Sequence, residues 1–230
     1  MGKEIMNNFT TVIVVGYHQT PLSAHMTMAC IANITKYTNP EDYELILVED
    51  IPKFDVRDDY KVLKIDKHII LDEYTTFSKK VNLAVKQAKG QYLAIIQNDC
   101  FVWEGWLPNC RYYLDNKMAD AIVPDQLPRT RQYIIDSYAN SMETGFDNGY
   151  REACMIYLRK SSFDKVGGFN ERLMALQDGD FYFRLLNAGV ELHTTNKVQV
   201  THITLGTHYQ DMDAFDKSMF NDSKVENKLV

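Results

Sequence analysis

The stretch VGGFNERLMALQDGDFYFRLLNAG, residues 166–189, predicts a helix that follows a glycine-rich turn and begins at two acids. Three apolar residues recur at helical spacing and mark its buried face: Phe181, Leu185 and Ala188. Gly189 ends the helix. Asp178 and Asp180 lie in the first turn, where backbone N–H groups and the helix dipole favour an ionised carboxylate. Asp178 is therefore a candidate general base, and the alternative is that it only caps the helix.

A second informative stretch is GQYLAIIQNDCFVWEGWL, residues 90–107, which predicts a buried strand over 92–96 that stops at Gln97, Asn98 and Asp99. In an open α/β sheet, ligands bind at the carboxyl ends of the strands. Oxygen-bearing side chains at a strand end suit a hard divalent cation. Asp99 is the best candidate for its carboxylate ligand.

Strand patterns alternate with helix patterns along the first half of the chain. The strands are predicted over 11–16, 44–49, 61–65 and 92–97, and the helices near 22–37, 76–89 and 105–117. This alternation indicates a mainly parallel sheet covered by helices on both faces. From residue 100 to 150 aromatic, amide and turn residues follow no clean period, which is typical either of a loop-built binding wall or of a plain surface loop. A later strand over 198–201 ends at His202.

Composition indicates a single enzyme domain. The chain has 230 residues, 45% of them hydrophobic, which is enough for the core of one α/β domain. Its net charge of −6 argues against a broad nucleic-acid surface, although a local basic groove could form around Arg129 and Arg131. The apolar stretches are too short to cross a bilayer, and we expect neither a membrane span nor a secretory signal. Four cysteines without a CxxC pair indicate reduced thiols and a cytoplasmic protein, in which Cys100 beside Asp99 could be reactive.

Four segments, in this order, carry a resemblance to a known family. They are TVIVVGYHQTP (11–21), YELILVED (43–50), FSKKVNLAVKQAKGQYLAIIQND (77–99) and CMIYLRKSSFDKVGGFNERLMALQDGDFYFRLLNAG (154–189). Over roughly residues 10–205 the chain resembles the family 2 glycosyltransferases of GT-A fold, which are inverting enzymes with nucleotide-sugar donors.

The resemblance implies a Rossmann-like GT-A α/β fold, with a mainly parallel sheet flanked by helices, in one catalytic domain over 1–230. The nucleotide-sugar half would cover about 10–99 and the acceptor and catalytic half about 100–205. The tail over 206–230 has apolar residues at helical spacing and could form a docked helix or a lid.

On the donor side, the first turn and the end of the second strand would hold the nucleotide. An acid there favours uracil, which offers an N3–H donor, so we expect a UDP-sugar, although GDP and dTDP also present ring donors. Lys79 and Asn82 lie one helical turn apart and could reach a phosphate or ribose, whereas the alternative for Lys79 and Lys80 is a solvated helix face. The donor-side candidates are Gly16, Tyr17, His18, Glu49, Asp50, Lys79, Asn82, Gln97 and Asn98.

For the metal, the resemblance implies that Asp99 binds a divalent cation and that His202 completes its shell. Imidazole is a good ligand for Mn²⁺ and a poor one for Mg²⁺, so Mn²⁺ is expected. The alternative is a purely structural His202. Gln97 and Gln177 replace two acids of the family pattern, which leaves Asp99 nearly alone at the metal and Asp178 at the base position.

The residues expected on the acceptor side are Trp106, Gln177 and Asp180. The sequence thus predicts an inverting, metal-dependent glycosyltransferase that moves a sugar to an acceptor hydroxyl, on a glycan or another molecule, with Asp178 as general base. One alternative is a noncatalytic nucleotide-sugar or glycan-binding module, since two acids are replaced by glutamine. A second is a glycosyltransferase that acts on modified DNA bases, which the acidic composition disfavours. A sugar nucleotidyltransferase is unlikely from the sequence, because GYHQTPLSAH lacks the Gly-rich phosphate-binding signature of those enzymes.

Overall fold

The computed structural model of the protein describes residues 6–17, 20–51, 58–127, 154–173 and 177–203. The strands are β1 (Met6–Val15), β2 (Tyr43–Asp50), β3 (Lys67–Leu71), β4 (Gly90–Gln97), β5 (Cys100–Val102), β6 (Ala121–Leu127), β7 (Met155–Arg159) and β8 (Leu192–His202). The helices are α1 (Pro21–Tyr37), α2 (Phe77–Val85), α3 (Trp106–Asp115), α4 (Lys160–Lys165) and α5 (Gln177–Asn187), with a short 3-10 helix over Asp59–Val62. Within these ranges no helix combines the length and the apolar character that a membrane span requires.

The strands form one sheet in the order β3-β2-β1-β4-β7-β6-β8-β5. Strands β3, β2, β1 and β4 run parallel to one another. Strand β7 is antiparallel to both β4 and β6, β8 is parallel to β6, and β5 pairs antiparallel with β8. The predicted α/β class and its parallel sheet are confirmed for the half that leads to Asp99, and the other half of the sheet is mixed.

The sheet curls because of the short connection between β4 and β5. Only Asn98 and Asp99 separate these strands, although β7, β6 and β8 lie between them in the sheet. Four strand spacings in a flat sheet would measure about 19 Å, whereas the chain from Gln97 to Cys100 reaches at most about 11 Å. The start of β5 therefore lies close to the end of β4. Because β5 pairs with β8, the end of β8 also comes close to the end of β4.

Helices cover both faces of the sheet. On one face, α1 and α3 pack on alternate strand residues such as Val12, Leu45 and Ala94. On the other, α2, α4 and α5 pack on the intervening residues, such as Ile13 and Ile46. Because both faces are buried, the central strands are continuously apolar, as the sequence of a parallel sheet requires.

Local signals set the helix ends. Thr20 and Ser23 form a capping box at the start of α1, with Pro21 in its first turn. The hydroxyl of Thr76 caps α2 by accepting the N–H of Lys79. The predicted end of α5 is confirmed by Gly189, which has a φ of 71°.

Part of the predicted secondary structure was wrong or incomplete. The strand predicted over 61–65 is displaced, because Asp59–Val62 forms a 3-10 helix and the strand that pairs with β2 is β3. Val62 and Leu63 offered an apolar pattern, but Val62 is 86% exposed. The region after residue 100 contains β5 and β6, two strands that the sequence did not predict. The tail over 206–230 lies outside the described residues.

Candidate functional site

The carboxyl ends of β2, β1 and β4 lie side by side along one edge of the sheet. The register aligns Val15 with both Val48 and Gln97. Gly16, which follows β1, donates its backbone N–H to the carbonyl oxygen of Val48 at 2.8 Å. The first turn, the acids that end β2 and the polar residues that end β4 are therefore neighbours, as expected for a ligand site of an α/β sheet.

Asp50 forms a buried ion pair at the end of β2. Its Oδ2 lies 2.5 Å from Nζ of Lys80, and its Oδ1 accepts the backbone N–H of Thr75 at 3.0 Å. Lys80 also donates to the carbonyl oxygen of Gly16 at 3.5 Å. Burial raises the pKa of Asp50, and the charge and hydrogen bond of Lys80 oppose that rise. One lysine of α2 thus joins the first turn to the end of β2.

Sequence analysis missed Lys80 and selected its neighbour Lys79. Lys80 is in phase with Val81 and Ala84 on the buried face of α2, and a lysine within an apolar stripe was the signal for a buried partner. Lys79 is exposed, with its Nζ 3.3 Å from Oε1 of Glu73. It does border a cavity of about 390 Å³ at the end of β3, together with Leu71, Asp72, Glu73 and Thr75.

Glu49 is fully buried beside Asp50, which does not fit its expected contact with a nucleotide base. Its Oε1 lies 2.5 Å from Nε2 of His68, and the hydroxyl of Tyr60 donates to its Oε2 at 3.5 Å. A Cβ added at Gly16 would come within 2.9 Å of that same Oε2. Glu49 therefore packs directly beneath the first turn. Any side chain at Gly16 would be too close to the Glu49 carboxylate.

The side-chain amide of Asn82 is already hydrogen-bonded within the protein. Its amide oxygen and nitrogen both bind the backbone of Phe169, and the nitrogen also donates to Oε1 of Glu171. The amide is therefore engaged by the glycine-rich segment that precedes α5 and is not available for a phosphate or ribose.

Asp99 and His202 are brought together, as the sequence predicted for a pair of metal ligands. Strands β5 and β8 align Cys100 with His202, and Oδ1 of Asp99 lies 3.4 Å from Nε2 of His202. Their side chains are 16% and 15% exposed. Among the described residues, this buried oxygen accepts no hydrogen bond, and it faces the imidazole of His202.

The pair fits a divalent cation that keeps other ligands. The part of the chain described by the structure contains no group of three or more His, Cys, Asp and Glu side chains arranged around one point. A carboxylate with an imidazole suits Mn²⁺, whose remaining positions would be filled by water or phosphate oxygens.

Residues next to Asp99 anchor the turn that carries it. Asn98, a donor-side candidate, donates from Nδ2 to Oγ1 of Thr27 at 2.9 Å and so ties the turn to α1. Cys100, Cys30 and Cys154 pack together beneath the turn, with 3.3 Å between the sulfurs of Cys100 and Cys154. Cys100 is fully buried, and burial raises the pKa of its thiol well above the ordinary value. The expectation that Cys100 could be reactive was therefore wrong.

The acids of α5 have different surroundings. Oδ2 of Asp180 accepts hydrogen bonds from Nε and Nη2 of Arg184 at 2.9 and 2.7 Å, so this acid pairs within its own helix. Oδ1 of Asp178 accepts the N–H of Gly179 at 2.9 Å. The half-buried Gln177 has an Oε1 with no hydrogen-bond partner in the described ranges, which leaves that oxygen able to accept from a bound molecule.

Of the two tryptophans that follow Asp99, Trp106 is buried and Trp103 is exposed. Trp106, expected on the acceptor side, is 1% exposed in the core and donates from Nε1 to Oγ1 of Thr38 at 3.0 Å. It cannot contact an acceptor. Trp103 is 48% exposed and donates to Oγ1 of Thr201.

Four further residues that the sequence singled out are Tyr17, His18, Arg129 and Arg131. Tyr17 is half-buried directly after Gly16. His18, Arg129 and Arg131 lie outside the described residues. Tyr17 therefore stays a candidate at the carboxyl edge of the sheet.

Solved structures with a similar fold are glycosyltransferases. A crystal structure of GalNAc-T7 with UDP, GalNAc and Mn²⁺ superposes with a TM-score of 0.70 and 15% sequence identity, over 85% of this chain and 44% of that chain. A structure of S. aureus TarS 1–349 in complex with UDP-GlcNAc superposes with a TM-score of 0.68 and 17% identity, over 90% of this chain and 62% of that one. The chain thus spans less than two thirds of these relatives, and at such identity the likeness concerns the fold. The fold is that of a GT-A glycosyltransferase.

The family follows from the sequence match. The sequence model described as glycosyl transferase family 2 matches residues 11–171. The chain belongs to glycosyl transferase family 2 and carries its glycosyltransferase domain. No curated protein sequence matches it.

Proposed function

We propose that the protein is an inverting glycosyltransferase that takes a UDP-sugar as donor and a hydroxyl group as acceptor. The observation that carries the proposal is the buried Oδ1 of Asp99, which accepts no hydrogen bond from the described residues and lies 3.4 Å from Nε2 of His202, at the carboxyl edge of a family 2 sheet. Support for the nucleotide comes from the UDP and UDP-GlcNAc in the two similar structures.

The donor would bind along the edge formed by the ends of β1 to β4. The cavity at the end of β3 would receive the nucleoside, and Asp50 would shape it by holding the backbone of Thr75 in its lining. Lys80 holds Asp50 in place from below. Tyr17 follows Gly16 directly and would stack on the base. Gln97, at the end of β4, would line the same edge of the sheet.

Asp99 and His202 would hold a divalent cation, with Mn²⁺ favoured over Mg²⁺. When bound there, the cation supplies positive charge that neutralises the departing diphosphate. The similar GalNAc-T7 structure contains Mn²⁺ with UDP.

Asp178 would act as the general base at the start of α5. Its carboxylate accepts the proton of the acceptor hydroxyl, while that oxygen forms a bond to the anomeric carbon from the face opposite the nucleotide. The bond between the anomeric carbon and the diphosphate oxygen breaks in the same displacement, so the configuration inverts and UDP leaves. The Oε1 of Gln177, which accepts no hydrogen bond from the described residues, would accept a second acceptor hydroxyl and orient it.

A panel of nucleotide sugars tests the proposal. Each donor is incubated with the protein and Mn²⁺, with and without simple sugar acceptors, and UDP release and the anomeric form of the product are measured. Release of UDP with an inverted product is expected. Tight binding without release would favour the noncatalytic module suggested by Gln97 and Gln177, and a retained configuration would contradict the mechanism.

Four free, buried cysteines support the expected reducing, cytoplasmic location.

A further inference from the structure

The amide of Asn82 binds the glycine-rich segment before α5 in the way a neighbouring strand would. Its Oδ1 accepts the N–H of Phe169 at 2.9 Å, and its Nδ2 donates to the carbonyl oxygen of Phe169 at 2.9 Å. The same nitrogen donates to Oε1 of Glu171 at 2.9 Å. One side chain of α2 therefore satisfies both backbone groups of a residue 87 positions further along the chain.

The contact leaves no space for a side chain at Gly168, where the turn meets the helix. A Cβ added at Gly168 would lie 2.6 Å from Oδ1 of Asn82, and the φ of Gly168 is 79°. The turn is thus pressed against α2 at a position where only glycine fits both the backbone angle and the space.

Arg184 connects the turn to α5. Its Nη1 donates to the carbonyl oxygens of Val166 and Gly168 at 2.8 and 2.7 Å. Its Nε and Nη2 bind Asp180 in the first turn of the helix. The turn and the start of α5 are therefore linked through one guanidinium group.

Ring packing reinforces the same connection. The ring of Phe169 stacks on Phe181 of α5, with 4.1 Å between centroids and 14° between planes. On its other side it meets Phe77 of α2 edge-on at 5.6 Å. Phe169, whose backbone Asn82 holds, is thus packed between the two helices.

Helix α2 also binds the donor side of the site. Lys80, two residues before Asn82, pairs with Asp50 and donates to Gly16. The donor edge and the turn before α5 are therefore both attached to α2, at positions two residues apart.

We propose that Asn82 is a positioning residue that fixes the base Asp178 relative to the bound donor. The inference rests on the proposed function. The rigid path runs from Lys80 through α2 to Asn82, then to Phe169, and from the turn to the first turn of α5. A shift of about 1 Å between reacting groups can lower a rate by about 10²-fold, so loss of this attachment should affect the chemical step more than donor binding.

The first experiment separates turnover from binding. Asn82→Ala is expected to lower kcat for transfer by about 10- to 100-fold, while the Kd for UDP with Mn²⁺ changes less than about twofold. Asn109→Ala is the matched control, because Asn109 also donates its amide to a backbone carbonyl, that of Lys197, at 2.9 Å. The control should keep its kcat. An unchanged kcat per UDP-binding molecule in Asn82→Ala, or an equal loss of UDP affinity, would overturn the inference.

A rescue tests the chemistry of the contact in case the alanine variant folds poorly. Asn82→Asp keeps an oxygen for the N–H of Phe169 but places a second carboxylate against Glu171. Adding Glu171→Gln removes the repulsion from Glu171 and supplies a donor to the new carboxylate, while the carbonyl oxygen of Phe169 stays without its donor, so only a small part of the lost kcat should return. A double variant no faster than Asn82→Asp alone would count against the role.

Hydrogen exchange provides a readout that needs no sugar transfer. UDP with Mn²⁺ is expected to slow amide exchange over 166–173 and 177–187 in the wild-type protein, and this protection should disappear in Asn82→Ala. Absence of protection in the wild type, or its persistence in the variant, would overturn the inference. A wild-type protein that shows the protection but transfers no sugar would contradict the proposed function and leave the coupling supported.

Discussion

At the scale of single residues, the carboxylates of the site differ in whether other groups of the protein hydrogen-bond them. Glu49 is bonded to His68 and Tyr60, and Asp180 to Arg184. Asp99 keeps a buried oxygen that accepts no hydrogen bond from the described residues and lies 3.4 Å from Nε2 of His202. Burying such an oxygen costs free energy that is recovered only when a ligand binds it. The pattern of pairing therefore singles out Asp99 for a cation and leaves Asp180 a poor candidate for the base.

The first prediction concerns the proposed base. Asp178→Asn keeps the shape and the capping oxygen but removes the proton acceptor, so transfer should fall by about 10²–10⁴-fold while UDP binding persists. Initial rates of UDP release in the presence of acceptor measure the effect. Asp180→Asn is the comparison: it keeps the proton acceptor and loses only the ion pair with Arg184 that links the turn to α5, so it should lower turnover much less than Asp178→Asn. Near-normal transfer by Asp178→Asn would remove this residue from the role.

The second prediction concerns metal preference. His202→Ala should lower activity supported by Mn²⁺ more than activity supported by Mg²⁺, because imidazole favours Mn²⁺. Activity titrations against both ions, beside thermal melts of the same variant, measure this. A purely structural His202 would instead give a lower Tm with the same ratio of the two activities.

At the scale of elements, the glycine-rich turn and α5 act as a unit. Gly167, Gly168 and Gly189 all have positive φ angles, but their surroundings differ. A Cβ at Gly167 or Gly189 would meet no atom within 4 Å, whereas one at Gly168 would collide with Asn82 and the ring of Phe163. The backbone angle ends the helix, and the space at Gly168 sets how closely the turn approaches α2.

The third prediction follows from this difference. Gly189→Ala should destabilise the fold by about 1–2 kcal/mol through its backbone angle alone, with little change in kcat. Gly168→Ala should cost more and also reduce kcat, since Asn82 must move by several tenths of an ångström. Urea unfolding and steady-state kinetics of both variants measure the two effects. Equal kcat values for the two variants would contradict the close-contact argument.

At the scale of the whole molecule, the curl of the sheet assembles the site. The parallel half supplies the donor edge, and the short turn at Asn98 and Asp99 forces the mixed half back toward it. As a result His202, at the end of β8, reaches a residue 103 positions earlier in the chain. Ligand binding at this junction should therefore stabilise both halves together.

The fourth prediction tests that junction by linkage. UDP with Mn²⁺ at about 100 times its Kd should add about 2.7 kcal/mol to the free energy of unfolding, which corresponds to a rise in Tm of about 5–10 °C. EDTA or Asp99→Ala should abolish most of the rise. Differential scanning fluorimetry with and without each component measures it, and an equal rise without metal would contradict a metal-dependent donor site.

Sequence periodicity by itself determined the order of strands and helices up to Asp99 and the helix that carries Asp178 in its first turn. These features depend on residues close together in the chain, where apolar spacing, capping residues and Gly189 act directly. It did not identify the buried Lys80 or the core position of Trp106, because a buried lysine and a core tryptophan are decided by the neighbours they meet.

Only the tertiary structure decided that His202 reaches Asp99, that Lys80 pairs with Asp50, and that Asn82 holds the turn before α5. Each of these contacts joins segments that are far apart in sequence. They arise from strand pairing and from the curl that a two-residue connection imposes on the sheet, and no local pattern of residues specifies either.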